Sequence, residues 1–226
     1  MATRFYLPSA GTPPASPTIS AEWEHSNGVR FPMSISKTAT GLSAVTYAPD
    51  AVDHLVDNDS LFFQYISIET LAAQTIAAAG ITLVMQASES NALNHLFLTW
   101  KVFVCSGDGA TIKETLIAIQ RDGTELTTTV TNRNDAGTII LANVEAGDRL
   151  VLEIGIGGLP TAGSGVNCHN GKLQPGDQEA TDLAADDTDT GTTKNPWLEF
   201  ANTLTFQSAS LAVSDTIGLG IIPFPR

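Results

Sequence analysis

Apolar positions along this chain come in short runs, punctuated by Gly, Asp and Asn, at intervals that suit strands joined by tight turns. The spacing predicts strands at LFFQYIS (61–67), GITLVMQAS (80–88), HLFLTWKVFV (95–104), ETLIAIQ (114–120), ELTTTV (125–130), TIILANV (138–144), RLVLEIGI (149–156), VNCHNGKLQ (166–174) and WLEFANTLTF (197–206). Arg121-Asp122-Gly123 lies between two runs of period 2, so residues 114–130 read as a hairpin with Gly123 free to take a positive φ. In the last run Leu198, Phe200, Asn202, Leu204 and Phe206 share one face, which is the better core face. ETLAAQTIAAAG (69–80) is contested: propensity gives a short helix capped by Gly80, and the alternative is a strand from Gln74 to Ala79 running into the next.

The two ends have a different texture. Five of the 11 prolines fall within the first 32 residues, so residues 1–31 read as an extended proline-rich arm. The last twenty residues, QSASLAVSDTIGLGIIPFPR, are too apolar for a solvated linker and read as a tail, 207–226, that lies against its own sandwich or a neighbouring subunit. Between them, residues 32–206 are expected to form an all-β, antiparallel sandwich of jelly-roll type.

Composition narrows the function classes. The chain has 226 residues, 42% of them hydrophobic, enough for a packed core in one large all-β domain or two small ones. Its net charge of −13 repels phosphate backbones and anionic lipid, so nucleic acid and membranes are poor partners. The start, MATRFYLPSAG, lacks the apolar stretch of about 7 to 15 residues that a signal peptide needs, and no run reaches the roughly 18 apolar residues of a membrane span. The expectation is a soluble product of a cytosol. Cys105 and Cys168 are then two thiols, Cys105 in the core, rather than a disulfide.

ATRFYLPSAGTPPASPTISAEWE at the start, VEAGDRLVLEIG at 144–155 and EATDLAADDTDTGTTKNPWLEF near the end form a distinctive combination. It resembles an uncharacterised family of proteins encoded by tailed bacteriophages among the genes for virion structure, over residues 2 to 206. The resemblance implies strand for residues 74–88, which decides the contested segment. It also implies a particle component and carries over no catalytic residue. The function expected on this basis is a non-enzymatic virion structural protein made in the host cytoplasm, a capsid decoration or particle-surface appendage. Its partners would be further copies of itself in a symmetric oligomer and other virion proteins, such as major capsid or tail proteins. The alternative is a carbohydrate-binding adhesion module of the virion, with calcium as a conditional cofactor.

Candidate chemistry is thin. Asp177, Glu179, Asp182, Asp186, Asp187 and Asp189 precede any basic residue in the stretch from Gly176 to Phe200. A calcium ion needs about six to eight oxygens around one point, and Asp182, Asp186, Asp187 and Asp189 with backbone carbonyls are the candidate ligands. An EF-hand is excluded, because counting from Asp187 puts Thr192 at the glycine position and Leu198 at the bidentate glutamate position. The bland reading is a solvated acidic loop. Glycoside hydrolysis would need two acids about 5 to 10 Å apart across a cleft, which one acidic loop supplies poorly. GIGGLPTAGSG (155–165) lacks the helix of a phosphate loop, so its first glycines read as relief for strand twist or close packing. His25, His54, His95 and His169 make no chelating pattern, and adjacent Cys168 and His169 would point to opposite faces of a strand. Trp23, Trp100 and Trp197 could stack on sugars, but tryptophans among strand residues read first as core or interface.

Overall fold

The structure, a computed structural model, describes residues 1–37, 41–42, 45–47, 58–92, 95–158, 171–177, 181–186 and 194–208. Its strands, in chain order, are β1 (Thr3–Tyr6), β2 (His25–Met33), β3 (Gly41–Leu42), β4 (Val45–Tyr47), β5 (Asn58–Ser67), β6 (Gln74–Ile76), β7 (Ala79–Glu89), β8 (Leu96–Cys105), β9 (Ile112–Arg121), β10 (Thr131–Ile139), β11 (Ala142–Val144), β12 (Arg149–Gly158), β13 (Gly171–Gln174), β14 (Gly176–Asp177) and β15 (Trp197–Phe200). The chain is all-β. Among the described residues no helix is long and apolar enough to cross a membrane.

Two sheets face each other as a sandwich. One has the order β2-β5-β12-β8-β9; the other runs β1-β15-β7-β13-β4, with β10 also paired to β7. Period-2 alternation sends Leu96, Leu98, Trp100, Val102 and Val104 of β8 and Leu150, Leu152, Ile154 and Ile156 of β12 inward, where they meet Phe5, Leu83, Met85, Leu173, Leu198 and Phe200 of the opposite sheet in one buried cluster. The core face predicted for the last run is correct, with Leu198, Phe200 and Leu204 buried, although β15 itself ends at Phe200 and pairing beyond it is an isolated bridge from Phe206 to Leu71. Strand is also correct for the contested alanine-rich segment, which β6 and the start of β7 divide between them.

Three sequence expectations are corrected. Residues 114–130 are not a hairpin: β9 pairs with β8 and β10 with β7, so the chain crosses between sheets after Arg121. ELTTTV is accordingly part of the crossover rather than a strand, and Leu126 drops from it into the core while its N–H donates to the Leu96 carbonyl at 2.7 Å. Among the described strands, antiparallel pairing also has an exception, because β2 runs parallel to β5. Of VNCHNGKLQ, residues 166–170 lie outside the described residues and 171–174 form β13.

The glycines of β12 serve close approach. A Cβ on Gly155 would lie 2.0 Å from the Ser60 carbonyl oxygen, at the point where the β12 and β5 register shifts. One on Gly157 would lie 1.7 Å from Asp59 Oδ1. No side chain fits either place.

Candidate functional site

The outer face of the five-stranded sheet carries a row of polar side chains at one register: Arg30 on β2, Gln64 on β5, Glu153 on β12 and Lys101 on β8. Arg30 Nε donates to Gln64 Oε1 at 2.8 Å, and Gln64 Nε2 donates to Glu153 Oε1 at 2.9 Å. The segment between β1 and β2 lies across this row. Ser20 N–H reaches Glu153 Oε1 at 3.0 Å, the Trp23 indole N–H reaches Oε2 at 2.8 Å, and Lys101 Nζ bonds Ser20 Oγ at 2.9 Å and Glu22 at 2.5 Å. Burial raises the Glu153 pKa, opposed by those three donors and by Lys101. Further along, Ala15 closes a small apolar cluster of Ile66, Phe103, Cys105 and Val151 on the same face. Burial lifts the Cys105 thiol to about 11, so it is not a nucleophile at neutral pH.

The outer face of the six-stranded sheet is covered too, by residues 181–186. Leu183 packs on Val84 and Trp197, whose indole N–H donates to the Leu183 carbonyl at 2.8 Å. Asn132 on β10 donates to the carbonyls of Ala184 and Asp186, and Asn134 to that of Ala185. This is where the acidic stretch enters. Asp182 sits between two cations, with Arg4 Nη1 and Lys37 Nζ each 2.7 Å from its carboxylate, and the Tyr6 hydroxyl donates to it at 3.3 Å. Arg4 also bonds Glu199 at 3.0 Å and lies 3.9 Å over the Trp197 ring. Of the other predicted calcium ligands, Asp186 is exposed and its carbonyl is held by Asn132, while Asp187 and Asp189 lie outside the described residues. Among the described residues no group of three or more Asp, Glu, His or Cys side chains gathers as a metal site.

The third arrangement is a cleft of about 400 Å³ at the edge strand β1, lined by Met1, Thr3, Arg4, Tyr6, Ile35, Leu204 and Phe206 together with Ala2 and Thr203. One side of β1 pairs with β15; on the other, Tyr6 N–H donates to the Ser34 carbonyl at 2.8 Å in an isolated bridge. Because the bonding direction alternates along an antiparallel strand, Arg4 and Ala2 turn their backbone N–H and C=O groups to the same side as Tyr6. Among the described residues no strand pairs with β1 there. Ile35, 41% exposed, forms a wall, and its N–H is fixed by Glu69 Oε1 at 3.2 Å, which also accepts from Ser34 Oγ at 2.6 Å.

Sequence reasoning did not find this edge. ATRFYL alternates like a strand, but the proline content around it favoured an unpaired arm. The tryptophans follow their structural reading: Trp23, Trp100 and Trp197 are all buried, so none offers a stacking face. His95 pairs with Glu125 at 2.8 Å, and His54 and His169 lie outside the described residues.

No protein family and no curated protein matches the chain by sequence. Among solved structures it is similar to a CocE/NonD family hydrolase from Staphylococcus aureus, with 11% identity and a TM-score of 0.44 over 92% of this chain and 37% of that one. It is likewise similar to an alpha-amino acid ester hydrolase, with 10% identity and a TM-score of 0.45 over 91% of this chain and 36% of that one. The chain thus spans little more than a third of either hydrolase. These matches correct the functional expectation: where a virion decoration or appendage protein was expected, the similar structures are hydrolases, and the virion reading is withdrawn together with its adhesion variant. At such identities and TM-scores the likeness confers no activity on this chain.

Proposed function

We propose that the chain acts by binding, as a β-sandwich recognition module that takes an extended apolar peptide strand along the outer edge of β1. The observation that carries this is the cleft itself: an edge strand whose Ala2 and Arg4 backbone groups face outward, beside apolar walls from Ile35, Leu204 and Phe206. Strand addition draws affinity from main-chain hydrogen bonds and selectivity from pockets that accept alternate side chains. The carboxyls raised by burial, Glu153, Asp122, Asp59 and Glu89, are bound within networks that hold strands together, and none of them lines the cleft. Their perturbation therefore reports structure rather than acid-base chemistry.

Fluorescence anisotropy with labelled eight-residue peptides tests the reading. A peptide alternating apolar and small residues should bind the full chain with a dissociation constant on the order of 10 to 100 μM, and a proline-interrupted version should not. Ile35→Gln, a change on an exposed side chain, should weaken binding about tenfold by removing an apolar contact. Absence of binding at millimolar peptide, or binding indifferent to Ile35→Gln, would overturn the reading.

A further inference from the structure

We infer that the chain pairs with a second copy of itself through the bend between β10 and β11, an uncharged face that uses no residue of the β1 cleft. Pairing registers build this face. Ile139 on β10 is opposite Ala79 on β7, and Ala142 on β11 is opposite Ile76 on β6, so Ile140 and Leu141 stand across from Ala78 and Ala77 where the two ladders break. Consecutive residues cannot both turn inward there: Ile140 is 57% exposed, Leu141 is 58% exposed, and Ala77 and Ala78 are exposed with them. The Ile140 N–H donates to the Leu116 carbonyl at 3.1 Å, which fastens the bend to β9. Around it the polar groups satisfy one another. Thr75 Oγ1 donates to Asn143 Oδ1 at 2.8 Å, Asn202 Nδ2 to the Ala77 carbonyl at 2.8 Å, and Gln74 Nε2 to the Thr205 carbonyl at 2.7 Å.

Charge identifies the occupant. The chain carries 24 Asp and Glu against 11 Lys and Arg, yet residues 70–88, 136–144 and 200–208, which meet at this end of the sandwich, contain none of them. The acids that bound these stretches are held by other partners: Glu69 by Ser34 and Ile35, Glu89 by the Leu96 N–H, Asp135 by Trp100 and Gln120, Glu145 by Lys113, and Glu199 by Arg4. Two copies of a chain with a net charge of −13 repel one another over most of their surface, so a face free of carboxylates is where they touch at least cost. A basic partner would be drawn to the acidic faces instead. Shape points the same way, because a two-fold contact needs a patch that is its own complement. Here the Ile140–Leu141 ridge lies beside the shallow Ala77–Ala78 pair, and a two-fold axis between them seats each copy's ridge on the other copy's alanines.

Light-scattering mass of the full chain, measured across concentration, tests this. At about 100 μM the wild type should approach twice the 23.7 kDa of one chain. Ile140→Glu/Leu141→Glu should weaken dimerisation about 100-fold or more, because it sets carboxylates of both copies against each other in the contact. Ala78→Glu, an exposed change on the facing strand, should weaken it about tenfold and keeps the test decisive if the double variant does not fold. Raising sodium chloride from about 0.05 to about 0.5 M should tighten the wild-type dimer, since salt screens the repulsion between the acidic faces. A wild type still monomeric at about 1 mM, a dimer that persists unchanged in the folded variants, or a dimer that salt loosens would overturn the inference.

Discussion

Glu153 is fully buried on a face that strand alternation would turn to solvent, and three donors converge on its carboxylate. Replacing it by Leu orphans the Ser20 and Gln64 N–H groups and the Trp23 indole together. Denaturant unfolding should show a loss of about 2 to 5 kcal/mol at mildly acid pH. The pH dependence follows from the raised pKa. In the folded chain Glu153 keeps a proton that the unfolded chain has already released, so the stability it contributes is full below the ordinary glutamate range and is lost as pH rises through the raised value. The gap between wild type and Glu153→Leu should therefore narrow as pH climbs above about 4. A gap that widens with pH would show that the donors, not burial, dominate this carboxyl. The lone carboxylate within RLVLEIGI was visible in the sequence, but its burial was not, because periodicity assigns a residue to a face without saying what lands on that face.

At the scale of elements, the crossover from β9 to β10 decides how the two sheets are joined. Arg121-Asp122-Gly123 has hairpin composition, and Gly123 keeps a negative φ. What prevents the hairpin is Asp122, whose carboxylate takes Arg133 Nε at 2.9 Å and Nη2 at 2.5 Å with both side chains almost fully buried. Asp122 N–H bonds the Leu98 carbonyl at 2.8 Å, so the chain is still fastened to the β8 side when it turns away. Asp122→Ala would leave the guanidinium buried without its partner, and a loss of about 3 to 5 kcal/mol is expected by urea unfolding. The double change Asp122→Leu/Arg133→Met should recover most of that loss, since it removes the stranded charge as well. If the double variant is as unstable as the single one, the pair specifies the crossover by more than charge neutralisation. Strand positions in this region were readable from alternation, whereas the partner of each strand was set by a buried ion pair between residues 11 apart, for which period-2 patterning has no signal.

Across the whole molecule, both outer faces of the sandwich are covered by the chain's own segments: residues 15–24 on one sheet, 181–186 on the other. Residues 1–31 are bound into the fold at both ends, through β1 in one sheet and β2 in the other. Proline content could not foretell docking, which depends on Gln64, Lys101 and Glu153, 34, 81 and 133 residues from the partners they hold in this segment. The β1 cleft escaped the sequence for the same reason, since its walls come from residues 1–6, 35 and 203–206. Cys105, beneath Ala15, makes the cover measurable. With a pKa of about 11 and no exposure, its thiol should react with a disulfide reagent at neutral pH only when the segment over it opens. Trp23→Ala removes the indole anchor on Glu153, so the modification rate of Cys105, read in a Cys168→Ser background, should rise about tenfold or more if loss of the anchor costs about 1.4 kcal/mol of local opening. The strand signal in circular dichroism should persist, because the sheets beneath keep their own core. An unchanged rate would mean that Ala15 is held by the turn around Gly109, whose φ is positive and where an added Cβ would lie 3.1 Å from both Ala15 Cβ and Pro17 N, and that the Glu153 row anchors only residues 17–24.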